Sequence, residues 1–214
     1  MSDPCIPQTP GGYPSDCEIL EKYRTRVREK NDMTSSDPKY TLALAKAQQI
    51  RLLLLDVDGV LTDGSLLYSN SGEESKSFNT QDGFGLRLLH EAGIATGVIT
   101  ARTSAIVERR ASELKMQYIY QGVRRKQDAY SEILKASGCK PIQVAYMGDD
   151  WLDVTLLQQV GLSLAPANAD PEIRRMVHFV TERSGGQGAV RDACNLLLTG
   201  QGKLMELFQK YMCR

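Results

Sequence analysis

The chain has 214 residues, enough for one domain with an ordinary hydrophobic core, and its 42% hydrophobic and 24% charged content is typical of a globular protein. Lys plus Arg (26) equals Asp plus Glu (26), so no basic excess favours a nucleic-acid partner. The longest strongly apolar run, Leu52 to Leu55, is too short to cross a bilayer, and Asp3, Pro4 and Pro7 fall where a signal peptide carries its apolar stretch, so no membrane partner is expected. The five cysteines (Cys5, Cys17, Cys139, Cys194 and Cys213) are odd in number and form no C-x-x-C pair. They read as reduced thiols of a cytoplasmic protein.

Pro4, Pro7, Pro10 and Pro14, with Gly11 and Gly12, predict a flexible N-terminal tail. Residues 1–40 are accordingly read as an extension and residues 41–214 as the compact domain. Within the extension, Cys17 to Lys30 is charged enough for a marginal exposed helix, and Asn31 to Asp37 reads as turn. Lys39 to Ile50 is expected to wind into a helix leading to the first strand.

From Arg51 onward apolar strands alternate with amphipathic helices. The strands expected are Leu52–Val57, Ile94–Ile99, Tyr118–Tyr120, Val144–Met147, Leu162–Leu164 and His178–Val180. The helices between them are Gly83–Ala92, Ser104–Leu114, Arg125–Ser137, Trp151–Val160 and Pro171–Met176. Strands apolar throughout and separated by helices predict an α/β fold, a doubly wound parallel sheet covered on both faces. Right-handed crossovers then align the C-terminal ends of the strands along one edge, where active sites of such sheets form. Leu66–Tyr68 and Glu74–Phe78, joined through Ser69-Asn70-Ser71-Gly72, read as a projecting β-hairpin. Leu196, Leu197, Leu204, Leu207 and Phe208 make an apolar-periodic segment near the C-terminus. The glycines at 185, 186 and 188 that precede it would let backbone approach a ligand closely.

Four polar signals follow strands on the common edge. The first is Asp56-Val57-Asp58-Gly59-Val60-Leu61-Thr62-Asp63-Gly64. Two carboxylates two residues apart at a strand end are costly unless a cation or hydrogen bonds compensate. Mg²⁺ takes oxygen ligands and bridges to phosphate, and a carboxylate is a competent nucleophile toward phosphorus. The bland reading is an Asp-Gly turn. The second signal is Thr100 with Ala101 and Arg102, either phosphate donors or a plain helix cap. The third, Lys126, is either a solvated helix-start lysine or a cation that offsets charge at a reacting phosphate. The fourth is Gly148-Asp149-Asp150-Trp151-Leu152-Asp153, either more carboxylates beside the first pair or an acidic helix N-terminus. Each reading is weak alone, but the four occur in chain order, each after a strand, and together they point to phosphoryl transfer. His90 and His178 lack the spacing of a zinc site and read as packing residues.

These residues resemble the four motifs of the haloacid dehalogenase superfamily of phosphotransferases. The resemblance narrows to phosphatases of 3-deoxy-D-manno-octulosonate 8-phosphate, a precursor in lipopolysaccharide synthesis. It is carried by residues 56–64, 78–85 and 120–122, by 144–153 and 160–165, and by S-G-G-Q-G-A-V-R-D at 184–192 and L-L-L-T-G-Q-G-K-L at 196–204, and it spans about residues 42–206. Ala101 departs from the glycine often found there. The resemblance implies that Asp56 is nucleophile and Mg²⁺ ligand, and that Asp58 is the acid/base with its backbone carbonyl on the metal. It makes Asp149 a second metal carboxylate, Asp150 a site neighbour, and Thr100 and Lys126 phosphate holders. Asn79, Thr80, Gln81, Asp82 and Gly83, with Arg87, Arg102 and Arg110, resemble the substrate-contacting set. The family lacks a large cap domain and forms homotetramers in which the hairpin and a neighbour's C-terminal tail close the site. Two alternatives stay open: a phosphatase for a nine-carbon sugar acid phosphate, and a catalytically silent tetramerising module. Retention of Asp56, Asp58, Lys126 and Asp149 argues against silence, since unpaired buried acids only destabilise.

Overall fold

The computed structural model describes residues 37–72 and 74–212, with Glu18, Ile19, Glu21, Lys22 and Thr25 as helical positions ahead of them. The expectations for the rest of the first 36 residues lie outside the described residues. The first complete helix, α1 (Pro38–Ala47), starts where Asp37 Oδ1 accepts from Lys39 N at 2.8 Å. It leads into β1 (Leu52–Leu55).

The remaining elements alternate as the apolar runs predict. They are β2 (Leu67–Tyr68), β3 (Glu74–Ser75), α2 (Thr80–Glu91), β4 (Ala95–Ile99), α3 (Ala105–Glu113), β5 (Tyr118–Tyr120) and α4 (Lys126–Ser137). There follow β6 (Val144–Met147), α5 (Val154–Leu157), β7 (Leu162–Ala165), α6 (Pro171–Met176), β8 (Phe179–Val180), α7 (Ala189–Gly200) and α8 (Leu204–Met212). The main sheet runs in the order β5-β4-β1-β6-β7-β8, and every pairing in it is parallel. β1 lies at the centre, with Leu52 opposite Ala95 on one side and Val144 on the other. The antiparallel β2–β3 hairpin stands apart from this sheet.

Period-two alternation along β1 divides the core. Leu53 and Leu55 pack with Ala47, Leu86, Leu89, Val190 and Leu197, on the face covered by α1, α2, α3 and α7. Leu52 and Leu54 pack with Tyr130, Ile133, Leu156 and Ile173, on the face covered by α4, α5 and α6. All four leucines are fully buried. Among the described residues, no helix is long and apolar enough to cross a membrane.

Two elements differ from the sequence expectation. Trp151–Val160 does not form one helix: a 3₁₀ turn at Trp151–Asp153 precedes the short α5, because the Asp153 carboxylate turns inward and accepts from Asp149 N and Asp150 N. The C-terminal segment continues as α8, which docks on its own chain. Leu207 is buried, Lys203 Nζ donates to Ala92 O at 2.6 Å, and Tyr211 OH lies 2.6 Å from Glu91 Oε1.

Leu54→Ala should remove about 2–5 kcal/mol of stability, the usual cost of a leucine-sized cavity in a core that collapses only partly. In urea denaturation the midpoint should fall while the slope stays unchanged.

Candidate active site

The site assembles where β1, β4, β5 and β6 end. Asp56 N donates to Met147 O at 2.9 Å, extending the β1–β6 pairing by one residue. The chain then turns sharply, with Val57 O accepting from the amides of Val60, Leu61 and Thr62. Asp56 Oδ1 accepts from Val57 N at 2.7 Å, which aims its other oxygen inward. Gly59 sits at φ +84°, and a Cβ on it would lie 2.0 Å from Asp149 Oδ2. A side chain there would therefore be strained in backbone and would displace the Asp149 carboxylate.

The glycine-rich segment does approach something closely, but it is the chain itself. A Cβ on Gly185 would fall 1.8 Å from Gly59 O, and Gly186 N donates to Val60 O at 3.1 Å. The segment presses backbone to backbone on the turn that carries Asp56 and Asp58, and so braces it.

Lys126 begins α4 and reaches into the site with only 6% exposure. Its Nζ lies 2.9 Å from Asp56 Oδ2 and 2.6 Å from Asp153 Oδ1. Burial lowers the lysine's pKa, but the two carboxylates outweigh it and hold the ammonium above its usual range. Asp153, fully buried, is saturated with donors. Its Oδ1 also accepts from Tyr146 OH at 2.5 Å, and its Oδ2 accepts from Asp149 N at 3.0 Å and Asp150 N at 3.3 Å. It is the anchor of the lysine, and its one sequence signal is the third acid of G-D-D-x-x-D. Tyr146, buried in β6, carried no signal at all.

Asp56 and Asp149 are left with an electrostatic excess. Burial first, and Asp153 nearby, push Asp56 up to about 6 against the pull of Lys126. Burial, then Asp56, Asp153 and Asp150, push Asp149 up to about 7. One carboxylate oxygen from each of Asp56, Asp149 and Asp153 lies within 4.8 Å of the other two. Since the Asp153 oxygens are taken by four donors, Asp56 and Asp149 are the carboxylates available to a cation. Two hard oxygen donors whose ionisation is suppressed by burial and mutual repulsion fit Mg²⁺, which restores charge balance when bound.

The other sequence-predicted residues fall into two groups. Thr100 closes β4, is 3% exposed, and its Oγ1 accepts from Arg102 N at 3.4 Å. Arg102 Nε stands 3.6 Å from Asp58 Oδ2. Asp150 is exposed at the rim and caps the 3₁₀ turn, its Oδ1 accepting from Trp151 N. These join Asp56, Asp58, Lys126 and Asp149 on one edge.

The second group is set at the start of and along α2, with Arg110 on α3, and among the described residues none of its side chains pairs with Asp56 or Asp58. Asn79 caps the helix, accepting from Gln81 N at 2.7 Å. Gln81 Oε1 accepts from Arg183 Nη1 at 2.7 Å. Asp82 is 1% exposed and ties α2 to α7 by accepting from Arg191 N at 2.7 Å. Thr80, Gly83, Arg87 and Arg110 line a groove of ≈ 750 Å³ between α2 and α3.

The haloacid dehalogenase-like hydrolase family matches residues 17–192. The chain belongs to this family. This hydrolase is 44% identical over 173 residues to the 3-deoxy-D-manno-octulosonate 8-phosphate phosphatase of Salmonella typhi, a match covering 81% of this chain and 92% of the relative. The crystal structure of the Yersinia pestis phosphatase of the same name superposes with a TM-score of 0.75 at 45% identity, covering 76% of this chain and 88% of that one. The Moraxella catarrhalis phosphatase, solved with magnesium, phosphate and the sugar acid, superposes with a TM-score of 0.77 at 37% identity, covering 79% of this chain and 97% of that one.

Two outcomes check this geometry. Asp153→Asn offers one acceptor oxygen where four donors converge, so it should cost about 3–5 kcal/mol in chemical denaturation, as breaking a buried pair does. Mg²⁺ at about a hundred times its dissociation constant should stabilise the fold by about 2.7 kcal/mol. The rise in melting temperature should be larger at pH 8 than at pH 5, because carboxylates with raised pKa values hold their protons at the lower pH and must release them to bind a cation.

Proposed function

We propose that this hydrolase is a Mg²⁺-dependent phosphatase converting 3-deoxy-D-manno-octulosonate 8-phosphate to the free sugar acid and inorganic phosphate, a step in lipopolysaccharide precursor synthesis. The observation that carries the reading is the Lys126 ammonium 2.9 Å from Asp56 Oδ2, beside a second acid, Asp149, that burial holds near neutral. Such a constellation suits a nucleophile that must stay desolvated yet anionic when a phosphate arrives. The names of the relatives supply the substrate.

In this reading Asp56 Oδ bonds to phosphorus as the ester P–O bond breaks, and Asp58 gives a proton to the departing alkoxide. Water, deprotonated by Asp58, then cleaves the aspartyl-phosphate and restores Asp56. Lys126 and Thr100 hold the phosphoryl oxygens, and Asp153 keeps Lys126 in place. Asp56, the Asp58 carbonyl and Asp149 would hold Mg²⁺, which when bound neutralises the phosphoryl charge that otherwise repels an anionic nucleophile. Asp150 and Arg102 at the rim are assigned to the substrate.

Asn79, Thr80, Gln81, Gly83 and Arg87 at and along α2, with Arg110 of α3, are assigned to the sugar acid across a subunit boundary, while the buried Asp82 is assigned to joining α2 and α7. In support, none of these side chains pairs with Asp56 or Asp58 in its own chain, and the hairpin exposes Leu66, Leu67 and Tyr68 at 47%, 66% and 55%. An exposed apolar patch on one side of the hairpin suits burial by another copy, so a homotetramer is the assembly proposed. A cytoplasmic location fits the free thiols of Cys139 and Cys194.

Asp56→Asn should keep the melting temperature within a few degrees while kcat falls by about a thousandfold or more, the scale for removing a nucleophile. A kcat/KM screen over eight- and nine-carbon sugar acid phosphates, with and without chelator, tests the substrate. Undiminished turnover in excess chelator, or a clear preference for the nine-carbon ester, would overturn the assignment.

A further inference from the structure

The hairpin carries a lysine that none of the roles above uses. Lys76 follows β3, and its side chain is 1% exposed. Its ammonium pairs with Asp58 Oδ1 and lies 3.4 Å from Glu74 Oε1. Arg102 stands on the opposite side of the same carboxylate, with Nε 3.6 Å from Asp58 Oδ2. Its Nη2 donates to Tyr68 OH at 2.6 Å and to Glu74 Oε1 at 3.2 Å. Asp58 is thus held between two cations, one from the hairpin and one from the loop after β4, and Glu74 bridges them.

This arrangement runs against what stability alone selects. The hairpin turns a charged side chain inward and leaves Leu66, Leu67 and Tyr68 exposed. Enclosing an ammonium has a desolvation cost that an ion pair offsets only in part, and a well-packed apolar residue would fasten the hairpin at least as firmly. The inward lysine meets the one carboxylate that must sit in line with the leaving oxygen. A carboxyl group free to change rotamer gives proton transfer poorly, whereas one fixed by charge-assisted hydrogen bonds is preorganised.

We propose that Lys76 is a positioning residue for Asp58, so that the hairpin completes the leaving-group side of the site within its own chain. The inference rests on the phosphatase reading, in which Asp58 protonates the departing alkoxide while Asp56 bonds to phosphorus. Lys76 keeps its own protons throughout, and it acts by holding the Asp58 carboxyl in place. Glu74 in turn holds Lys76 and Arg102 at a fixed separation.

The test uses two substrates that differ in their need for a proton. The alkoxide of a sugar acid phosphate needs one to depart, whereas p-nitrophenolate is stable enough to leave without it. In Lys76→Met, kcat/KM for 3-deoxy-D-manno-octulosonate 8-phosphate should fall at least tenfold further than kcat/KM for p-nitrophenyl phosphate. Lys76→Arg should recover most of the difference. If Lys76→Met does not fold, Lys76→Gln is measured in the same way. Equal losses on both substrates, a loss below twofold on the sugar acid phosphate, or an arginine variant no better than methionine would each overturn the inference. Wild-type turnover of the two substrates reads the phosphatase assignment separately, so failure of one is distinguishable from failure of the other.

Discussion

A buried lysine held between two carboxylates is the interaction on which the site depends. Lys126 has Asp56 on one side at 2.9 Å and Asp153 on the other at 2.6 Å, and all three are withdrawn from water. Removing such charges from solvent is expensive, and the attraction between them repays it only when every remaining donor and acceptor is matched. Asp153 meets that condition with four donors. The sheet makes it possible, because parallel β1 and β6 deliver Asp56 and the Asp149–Asp153 segment side by side, and α4 enters from beyond β5 with Lys126 at its first residue. Shifting either strand by one residue would turn these side chains to the opposite face.

The same arrangement leaves an imbalance that suits its chemistry. Lys126 satisfies Asp153 fully and Asp56 in part, but Asp149 remains a carboxyl held near 7 by burial and by its acidic neighbours. A hard cation relieves this excess. Stability and function are therefore opposed in the metal-free protein and aligned in the loaded one, a trade usual for catalytic centres. The backbone contact between Gly185 and Gly59 stiffens the turn where this repulsion is concentrated. A ligand-binding role for the glycines is unnecessary to explain their spacing.

The hairpin joins the acid pair to the molecule's surface. One side of it is polar and turned into the site through Lys76, Glu74 and Tyr68, while its leucines face solvent. A two-stranded hairpin has little stability alone, and this one is fixed by the ion network around Asp58 and Arg102. Of the residues that resemble substrate contacts, Thr80, Gly83 and Arg87 of α2 and Arg110 of α3 line a groove between these two helices. The chain thus presents a cluster of acids around Lys126 and a groove lined by Arg87, Arg110 and Lys115 together with Glu91 and Glu113.

Most of this was legible in the sequence where chemistry and periodicity coincide. Mostly apolar runs of four to six residues at Leu52, Ile94 and Val144 pointed to buried parallel strands, and an acid or hydroxyl within two residues of the ends of β1, β4 and β6 pointed to the reactive edge. Asp56, Asp58, Thr100, Lys126 and Asp149 could be picked out as one group because each follows a strand, and the fold does bring them to one edge. What the sequence could not determine is where polar side chains go once long-range packing brings them together. Asp153 looked like the end of an acidic helix start, yet the inward turn that breaks Trp151–Val160 makes it the partner of a lysine 27 residues earlier. Lys76 carried no reading of its own in the sequence, and the fold closes it over Asp58. Asp82, read beside the substrate, is buried under α7. Periodicity reports which face of an element is apolar, and a charged residue carries no such label: its partner is chosen by distance and desolvation in the folded chain, so only the tertiary structure decides it.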